Sequence, residues 1–394
     1  MRLLTFSSLY PNATKPHHGI FVETRLRQLL GSHPIEARVM APVPWFPFTH
    51  ERFGDYARQA GIPRQEVRHG ISIHHPRYPL IPKFGMNLAP WGMALACLPR
   101  LQQQIRNGQD FDLIDAHYFY PDGVAATLLG RWLKKPVIIT ARGSDLNLLP
   151  HYPIPRLLIQ RAAQQAAHLI TVSGALKQVL IQLGAEAHKI TVLRNGVDLT
   201  LFQPTEREKT RQQLNLTTHP LLVSVGNLVP GKGHDLVIRA IEPLEPFQLL
   251  IIGSGPEQHN LEQLVKQLNL SQRVQFKTHL PQTELARYYS AADALVLASA
   301  SEGWANVLLE SLACGTPVIS TAVGGSPELI TAPEAGRLVQ ERTPQSVTQA
   351  IQNLFAHPPL REDTRRFASR FNWEETSAGQ LSLFRHILAR QTVI

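Results

Sequence analysis

The sequence is poor in the features that define several large protein classes. Only two cysteines, Cys97 and Cys314, occur in 394 residues, too few and too far apart for a disulfide framework or a cysteine-based zinc cluster. A reducing, cytoplasmic setting fits that scarcity. No run approaches the roughly 20 apolar residues of a bilayer-spanning helix, because Arg, Gln or Pro interrupts each candidate. The opening MRLLTFSSLYP has one basic residue, a short apolar stretch and no small-residue cleavage site, so it reads as a first strand and not as a signal peptide. Internal repeats and low-complexity tracts are missing too. A disulfide scaffold and a helical membrane span are not expected, and the chain reads as soluble or peripheral.

What is present is enough apolar material, 43% of the chain, to build two ordinary α/β cores. The net charge of +9 is uneven. Residues 1–205 carry 22 Lys/Arg against 12 Asp/Glu, whereas 206–394 carry 17 against 18. An excess confined to the first half suggests an anionic partner there: a membrane surface, a phosphate-bearing acceptor or nucleic acid. A scattered solubilising surface is the plain alternative. Nucleic acid is disfavoured, because the basic residues are dispersed and not gathered on one helix or among stacking aromatics.

Short apolar runs bounded by Gly, Pro, Asn or Asp alternate with amphipathic segments of about 10–15 residues, the pattern of βαβ units on parallel sheets. The clearest strands of the first half are Arg2–Phe6, Ala37–Ala41, Leu113–Ala116, Val137–Thr140, Leu169–Val172 and Ile190–Leu193. Those of the second are Leu221–Val225, Gln248–Ile252, Val274–Lys277, Ala294–Ala298 and Val318–Thr321. Asn195–Pro220 is the candidate linker. Residues 42–90, rich in Pro, aromatic and basic residues, break the rhythm and are expected to form a long functional or mobile loop. Helical spacing from Phe371 to Leu388 closes the chain.

Three segments carry chemistry. In VSVGNLVPGKGHD a strand ends in a Gly-rich turn bearing Lys232 and leads into a helix, presenting backbone N–H groups, a helix N-terminus and a full positive charge to an anion such as a diphosphate. Gly226, Gly231 and Lys232 nearly spell a Walker A motif, but Gly233 stands where Ser or Thr should meet magnesium. In IIGSGPE, Gly253 and Gly255 follow a strand as in a dinucleotide fingerprint, with Gln258 at the third glycine position; a tight turn without ligand fits equally. In SASEGWANVLLESLACGTPVISTAVGGSPELI, Glu302 and Glu310 would lie near one helix face, about 10–12 Å apart along the axis. There they could grip two ends of a polyhydroxyl ligand through charge-assisted hydrogen bonds, with Gly324 and Gly325 as a further backbone approach point; a capping Glu302 and a surface Glu310 are the plain alternative for the pair alone.

Taken together these segments resemble the family-4 retaining glycosyltransferases of GT-B fold. The shared pattern is a glycine-rich loop with Lys, G-x-G-P, Glu–seven residues–Glu, CGTPV and a Gly pair before PE. The resemblance extends to Gly19 in HHGIFVE, His117 in DAHYFYPDG, Asp145 in ARGSD, Ser173 in TVSGALK and the NGVD at Asn195. It implies two Rossmann-like, doubly wound parallel-sheet domains facing across a cleft: 1–200 on the acceptor side, 201–370 binding the nucleotide sugar, and a helix at 371–394 packing back toward the first domain. It also implies transfer of a hexose-type sugar from a UDP- or GDP-linked donor, with retention and without a metal ion or other cofactor. The acceptor would be a glycan or lipid-linked glycan of cell-surface polysaccharide synthesis.

Residue by residue, the resemblance places His117 beside the anomeric centre, Lys232 on the diphosphate, Glu302 on the transferred sugar and Glu310 on the ribose. Gly19, Asn227, Gly231, Gly253, Gly255, Asn306 and Val307 join the donor-binding set, and Arg142 and Asp145 line the acceptor side or cleft. Two departures stand out. Asn227 occupies a position where many members have Arg, and Arg142 one where His is frequent. Arg142 either supplies positive charge to the cleft or pairs with Asp145. Ala305 also replaces a frequent Gly. Asp110 and Asp112 spell a D-x-D but precede a strand and are read as starting it, not as metal ligands. Trp45, Phe46 and Phe48 among prolines mark either packed core aromatics or a docking point on the inner face of the cytoplasmic membrane. A sugar-nucleotide epimerase of the same fold and a non-catalytic nucleotide-sugar-binding protein are the competing readings.

Overall fold

Each apolar run that ends in a glycine or polar turn becomes a strand, and the amphipathic segment after it packs back over the sheet. The computed structural model describes residues 1–391 except Thr49, Glu51, Phe53, 81–84 and Thr217. They fall into two compact units, Met1–Arg194 with Glu374–Ile394, and Asn195–Trp373.

Among the described residues the first unit holds β1 (Arg2–Phe6), β2 (Glu36–Met40), β3 (Val43–Trp45), β4 (Gln65–Arg68), β5 (Ile71–His74), β6 (Arg77–Pro79), β7 (Leu113–His117), β8 (Val137–Ala141), β9 (His168–Thr171) and β10 (Ile190–Val192). Eight of these make one sheet in the order β10-β9-β8-β7-β1-β2-β5-β4, parallel except for the β4–β5 hairpin, while β3 and β6 form a separate parallel pair. One core contains Leu3, Val39, Ile73, Leu113, Ile138 and Ile170 from six strands. It also takes Val22, Leu26 and Leu29 of helix Ile20–Ser32 and Leu381, Phe384 and Ile387 of helix Trp373–Gln391. Three- and four-residue spacing lines each triplet along one helix face, and every such side chain contributes about 1.5–3 kcal/mol when buried.

The second unit holds β11 (Leu221–Val225), β12 (Gln248–Ile252), β13 (Val274–Lys277), β14 (Ala294–Leu297), β15 (Val318–Thr321) and β16 (Gly336–Val339), all parallel in the order β13-β12-β11-β14-β15-β16. Its core packs Leu222, Leu249, Ile251 and Val296 against Val237, Ile238 and Ile241 of helix His234–Ile241. Helices Gln258–Gln267 and Pro344–Ala356 add Leu261, Leu264, Val265, Val347, Ile351 and Leu354. In each unit the chain starts in mid-sheet, builds to one side and then crosses to the other. The crossing falls between β1 and β7 in the first and between β11 and β14 in the second. Ligands of open α/β sheets bind at the carboxyl ends of strands at such a point.

Four expectations need correction. Residues 42–90 are not one long loop: they contain β3 to β6 and helix Asp55–Ala60, with 49, 51, 53 and 81–84 outside the described residues. These strands are too short to show alternation, and β4 and β5 are joined by a tight turn with positive φ at His69 (50°) and Gly70 (78°), the two-residue hairpin geometry. Asn195–Pro220 is not a bare linker, since it carries helix Arg207–Gln213, tied down by Arg211 on Asp293 (2.7 Å) and on the Ala291 carbonyl (2.8 Å). The sixth strand of the second sheet, GRLV at β16, was not foreseen, because a Gly and an Arg in four residues hide its pattern. Lastly, helix Asn306–Ala313 starts four residues after Glu302, so Glu302 lies on a loop and the helical spacing to Glu310 does not apply. Trp45 and Phe48 are exposed and not part of a core. No helix among the described residues is long and apolar enough to cross a membrane.

Candidate functional site

At the crossing point of the second unit, β11 ends at Val225 and the chain turns through Asn227 and Pro230 before Gly233 (φ 69°) starts helix His234–Ile241. On the adjacent strand, β14 opens into the loop that carries Glu302. Lys232 Nζ donates to Glu302 Oε1 at 2.6 Å, so the two residues meet across the crossing point. An ammonium has three donors and Glu302 takes one. Beneath the loop His234 is buried, with Nδ1 3.0 Å from the Ser224 hydroxyl. Burial holds its imidazole down at about 4, hence neutral.

The glycines explain how the loops are spaced. A Cβ at Gly253 would lie 1.8 Å from the Gly226 carbonyl oxygen, at Gly255 2.3 Å from that of Leu228, at Gly233 2.1 Å from that of Ala298, and at Gly324 1.9 Å from that of Glu302. Backbone hydrogen bonds lace the same loops: Leu228 N–H to Ser254, Ala300 N–H to Gly231, and Gly325 N–H to Gly303. The turns after β12, β11, β14 and β15 therefore form a continuous backbone-to-backbone seam along the sheet edge. Close approach does require these glycines, but the approaching group is the next loop. Gly231 differs, since a Cβ there meets nothing within 4 Å.

Glu310 lies on helix Asn306–Ala313 and is 9% exposed. Its Oε2 accepts from the Tyr289 hydroxyl at 3.0 Å and its Oε1 from Gln282 Nε2 at 3.4 Å. Burial pushes the carboxyl up to about 7, against the pull of those two donors. Asn306, the first residue of that helix, accepts from Asn195 Nδ2 of the NGVD motif at 3.1 Å, and Val307 beside it is half-buried. Asn227 is exposed. Sequence reasoning passed over His234, Tyr289 and Gln282; only the position of His234 directly after GKG could have signalled it.

In the first unit, strand alternation sends Leu3, Leu113 and Ile138 into the core and places Thr5, Asp115 and Thr140 two residues further along the same face. The next step along that face brings His117 and Arg142 together. His117 Nε2 lies 3.0 Å from Asp115 Oδ2, and the Arg142 guanidinium donates to Nδ1 at 2.5 Å. A guanidinium can only donate, so Nδ1 is the acceptor and the ring proton sits on Nε2. His117 is 1% exposed, and burial lowers it to about 4. The Arg142 guanidinium also lies 5.3 Å from the Phe21 ring centroid, while the bonds to Asp145 come from the Arg142 backbone N–H. Asp145 further takes the N–H groups of Phe119 and Gly143, each at 2.7 Å, so this buried carboxylate shapes its own loop. Gly19 (φ 61°) starts helix Ile20–Ser32 without a side-chain cap, and a Cβ there would lie 1.9 Å from the Leu9 carbonyl oxygen. Asp110 pairs with Lys135 at 2.9 Å and Asp112 takes the Arg2 N–H at 2.7 Å. Among the described residues no group of three or more His, Cys, Asp or Glu is placed to hold a metal ion.

Comparison with known proteins converges on one family. Residues 206–371 match the family model of glycosyl transferases group 1 and residues 38–201 that of glycosyltransferase family 4. A putative teichuronic acid biosynthesis glycosyltransferase of Bacillus subtilis is 31% identical over 369 residues, covering 89% of this chain and 88% of that protein. A D-inositol 3-phosphate glycosyltransferase of Frankia alni is 31% identical over 310 residues, or 72% of this chain and 76% of the relative. Among solved structures, a sucrose-phosphate synthase from Thermosynechococcus elongatus superposes with a TM-score of 0.81 at 22% identity over 99% of this chain and 100% of that one. Anabaena HepE in complex with UDP-glucose gives 0.72 at 20% identity with full coverage of both. Two largely parallel sheets that each cross over at a glycine- and charge-bearing edge, the pair of family models and these relatives agree, and the chain belongs to the family-4 glycosyltransferases of GT-B fold.

Proposed function

We propose that this glycosyltransferase moves a hexose-type sugar from a UDP- or GDP-linked donor to a glycan or lipid-linked acceptor of cell-surface polysaccharide synthesis, with retention of configuration and without a metal ion. The observation that carries this is the Lys232–Glu302 contact across the β11/β14 crossing point, with Glu310 on the helix that follows the same loop. When a glycosyl–diphosphate bond breaks, negative charge grows on the leaving phosphate and positive charge on the sugar ring. Lys232 and the N–H groups opening helix His234–Ile241 suit the first charge, and Glu302 suits the hydroxyls of the sugar that carries the second. Glu310 would accept from the ribose diol. The teichuronic acid enzyme and the UDP-glucose complex support the acceptor and donor classes.

A donor selected by thermal shift, incubated in EDTA with and without acceptor, tests the reading. Nucleoside diphosphate should be released only with acceptor, and the product should keep the donor's anomeric configuration. Inversion, or a strict need for added divalent ion, would overturn it; release of nucleotide with an altered free sugar would identify an epimerase.

Glu310 makes donor binding depend on pH. Its carboxyl titrates at about 7, so as pH falls through that value it gains a proton and loses its charge-assisted acceptance of ribose hydroxyls. The donor KM should rise between pH 8 and pH 6, and Glu310→Gln should raise KM and flatten the profile. A pH-independent KM in the native enzyme would exclude the ribose role.

For the acceptor, exposed apolar side chains of the first unit are the candidate contact. Trp45 on β3, which pairs with β6, is 56% exposed, and Gly92 packs on the Pro79 carbonyl of β6 to bring in helix Ala89–Arg106. Leu88, capping that helix, and Leu95 on it are 62% and 60% exposed. This surface, in the basic part of the chain, would let the enzyme dock on an anionic bilayer. Flotation with anionic liposomes should show salt-sensitive binding that Trp45→Ala with Leu95→Ala abolishes; no flotation at low salt would end the membrane part of the proposal.

A further inference from the structure

We propose that Gln380, on the C-terminal helix, is a positioning residue for the His117–Arg142 pair, acting through Asp115 and held in turn by Arg25. The inference rests on reading His117 as part of the reaction site.

Helix Trp373–Gln391 enters the first unit with an apolar inner face of Leu381, Phe384 and Ile387. Gln380, 1% exposed, interrupts that face one residue before Leu381. Its Oε1 accepts from Arg25 Nε at 2.9 Å and its Nε2 donates to Asp115 Oδ2 at 3.0 Å. Arg25 also donates to the Leu193 carbonyl at 3.0 Å. Since a guanidinium only donates and an ionised carboxylate only accepts, the two neighbours dictate which end of the Gln380 amide faces which. The Asp115 oxygen that takes the amide also takes His117 Nε2–H. One hydrogen-bonded series thus links Arg25, Gln380, Asp115, His117 and Arg142, with donors converging on the Asp115 carboxylate from both sides: from Arg25 through Gln380 and from Arg142 through His117.

Three features argue for a role beyond packing. Arg25, Asp115, His117 and Gln380 are each 1% exposed, so the series buries charged and polar groups where apolar side chains of similar volume would cost less. It admits one tautomer and one ring orientation of His117. It also ends at Arg142, which stands 9% exposed at the carboxyl edge of β8, so the ring orientation decides where that guanidinium is held. The charged groups facing the imidazole are Asp115 from β7, Arg142 after β8 and Arg25 from helix Ile20–Ser32; burial with the two arginines outweighs Asp115, and the ring stays neutral.

Gln380→Met removes both hydrogen bonds; Gln380→Glu keeps an acceptor for Arg25 but sets a carboxylate against Asp115, and serves if the first variant does not fold. In the full-length enzyme, kcat should fall about tenfold in either, the scale of one net hydrogen bond, while nucleoside diphosphate affinity stays within about twofold. Nitrogen NMR of His117 should show a single Nε2–H tautomer in the native protein, a mixture in Gln380→Met and a raised imidazole pKa in Gln380→Glu. Native kcat and an unchanged tautomer in a folded variant would overturn the inference. His117→Ala run alongside separates the two levels: if it keeps native kcat, the site reading fails, and if it loses activity while Gln380→Met keeps it, only the role of Gln380 fails.

Discussion

Lys232→Ala should weaken nucleoside diphosphate binding by roughly 1–3 kcal/mol, about 5- to 150-fold, the scale of a hydrogen bond to a charged group. The loss should be confined to ligands that carry phosphates: the free nucleoside should bind the variant and the native protein alike. That contrast matters because the substitution also strips Glu302, whose side chain is 10% exposed, of its ammonium partner. A purely structural defect would weaken both kinds of ligand. Calorimetric titration with diphosphate and nucleoside decides, and unchanged diphosphate affinity would remove Lys232 from the site.

Gly324→Ala should be among the most damaging single substitutions at the sheet edge. The new methyl would lie 1.9 Å from the Glu302 carbonyl oxygen, on a residue with φ 54°. The left-handed backbone costs a non-glycine residue about 1–3 kcal/mol, and overlap with a packed backbone adds a comparable amount. Relief can come only by moving the Glu302 loop, so the melting temperature should fall and turnover should drop more than stability alone accounts for. Gly231→Ala is the control, because its methyl meets nothing within 4 Å; it should melt as the native protein does. Equal melting and equal kcat for Gly324→Ala would mean that the seam of loops does not hold Glu302 in place.

The repeating core strands were legible in sequence, and β1, β11, β12, β13 and β15 begin and end at the residues expected. Buried parallel strands read as short apolar runs with sharp ends, which is why. β3 to β6 and β16 were not legible: runs of three or four residues with Pro, Arg, His or Gly inside are too short to show a period. At the second unit's edge, Lys232, Glu302 and Glu310 were found through motif order, yet their geometry was not. Helix Asn306–Ala313 begins only after a Gly303–Ala305 loop, and no local pattern marks where a loop yields to a helix when its cap is Ala305. Glycines were visible as turns, but their steric reason lies in carbonyls tens of residues away. Gln380 and Asp115 are 265 positions apart, and an interior amide on an amphipathic helix looks like any solvated one until the fold is known.

The first unit is discontinuous: residues 1–194 lack the helix whose Leu381, Phe384 and Ile387 complete their core. A ribosome releases that helix only after all of the second unit. Synthesis therefore gives the second unit the opportunity to fold first, while the amino-terminal half waits with an open apolar groove. Fragments ending near residue 194 should aggregate or bind chaperones, and nascent chains should gain protease resistance in the reverse of their order along the gene.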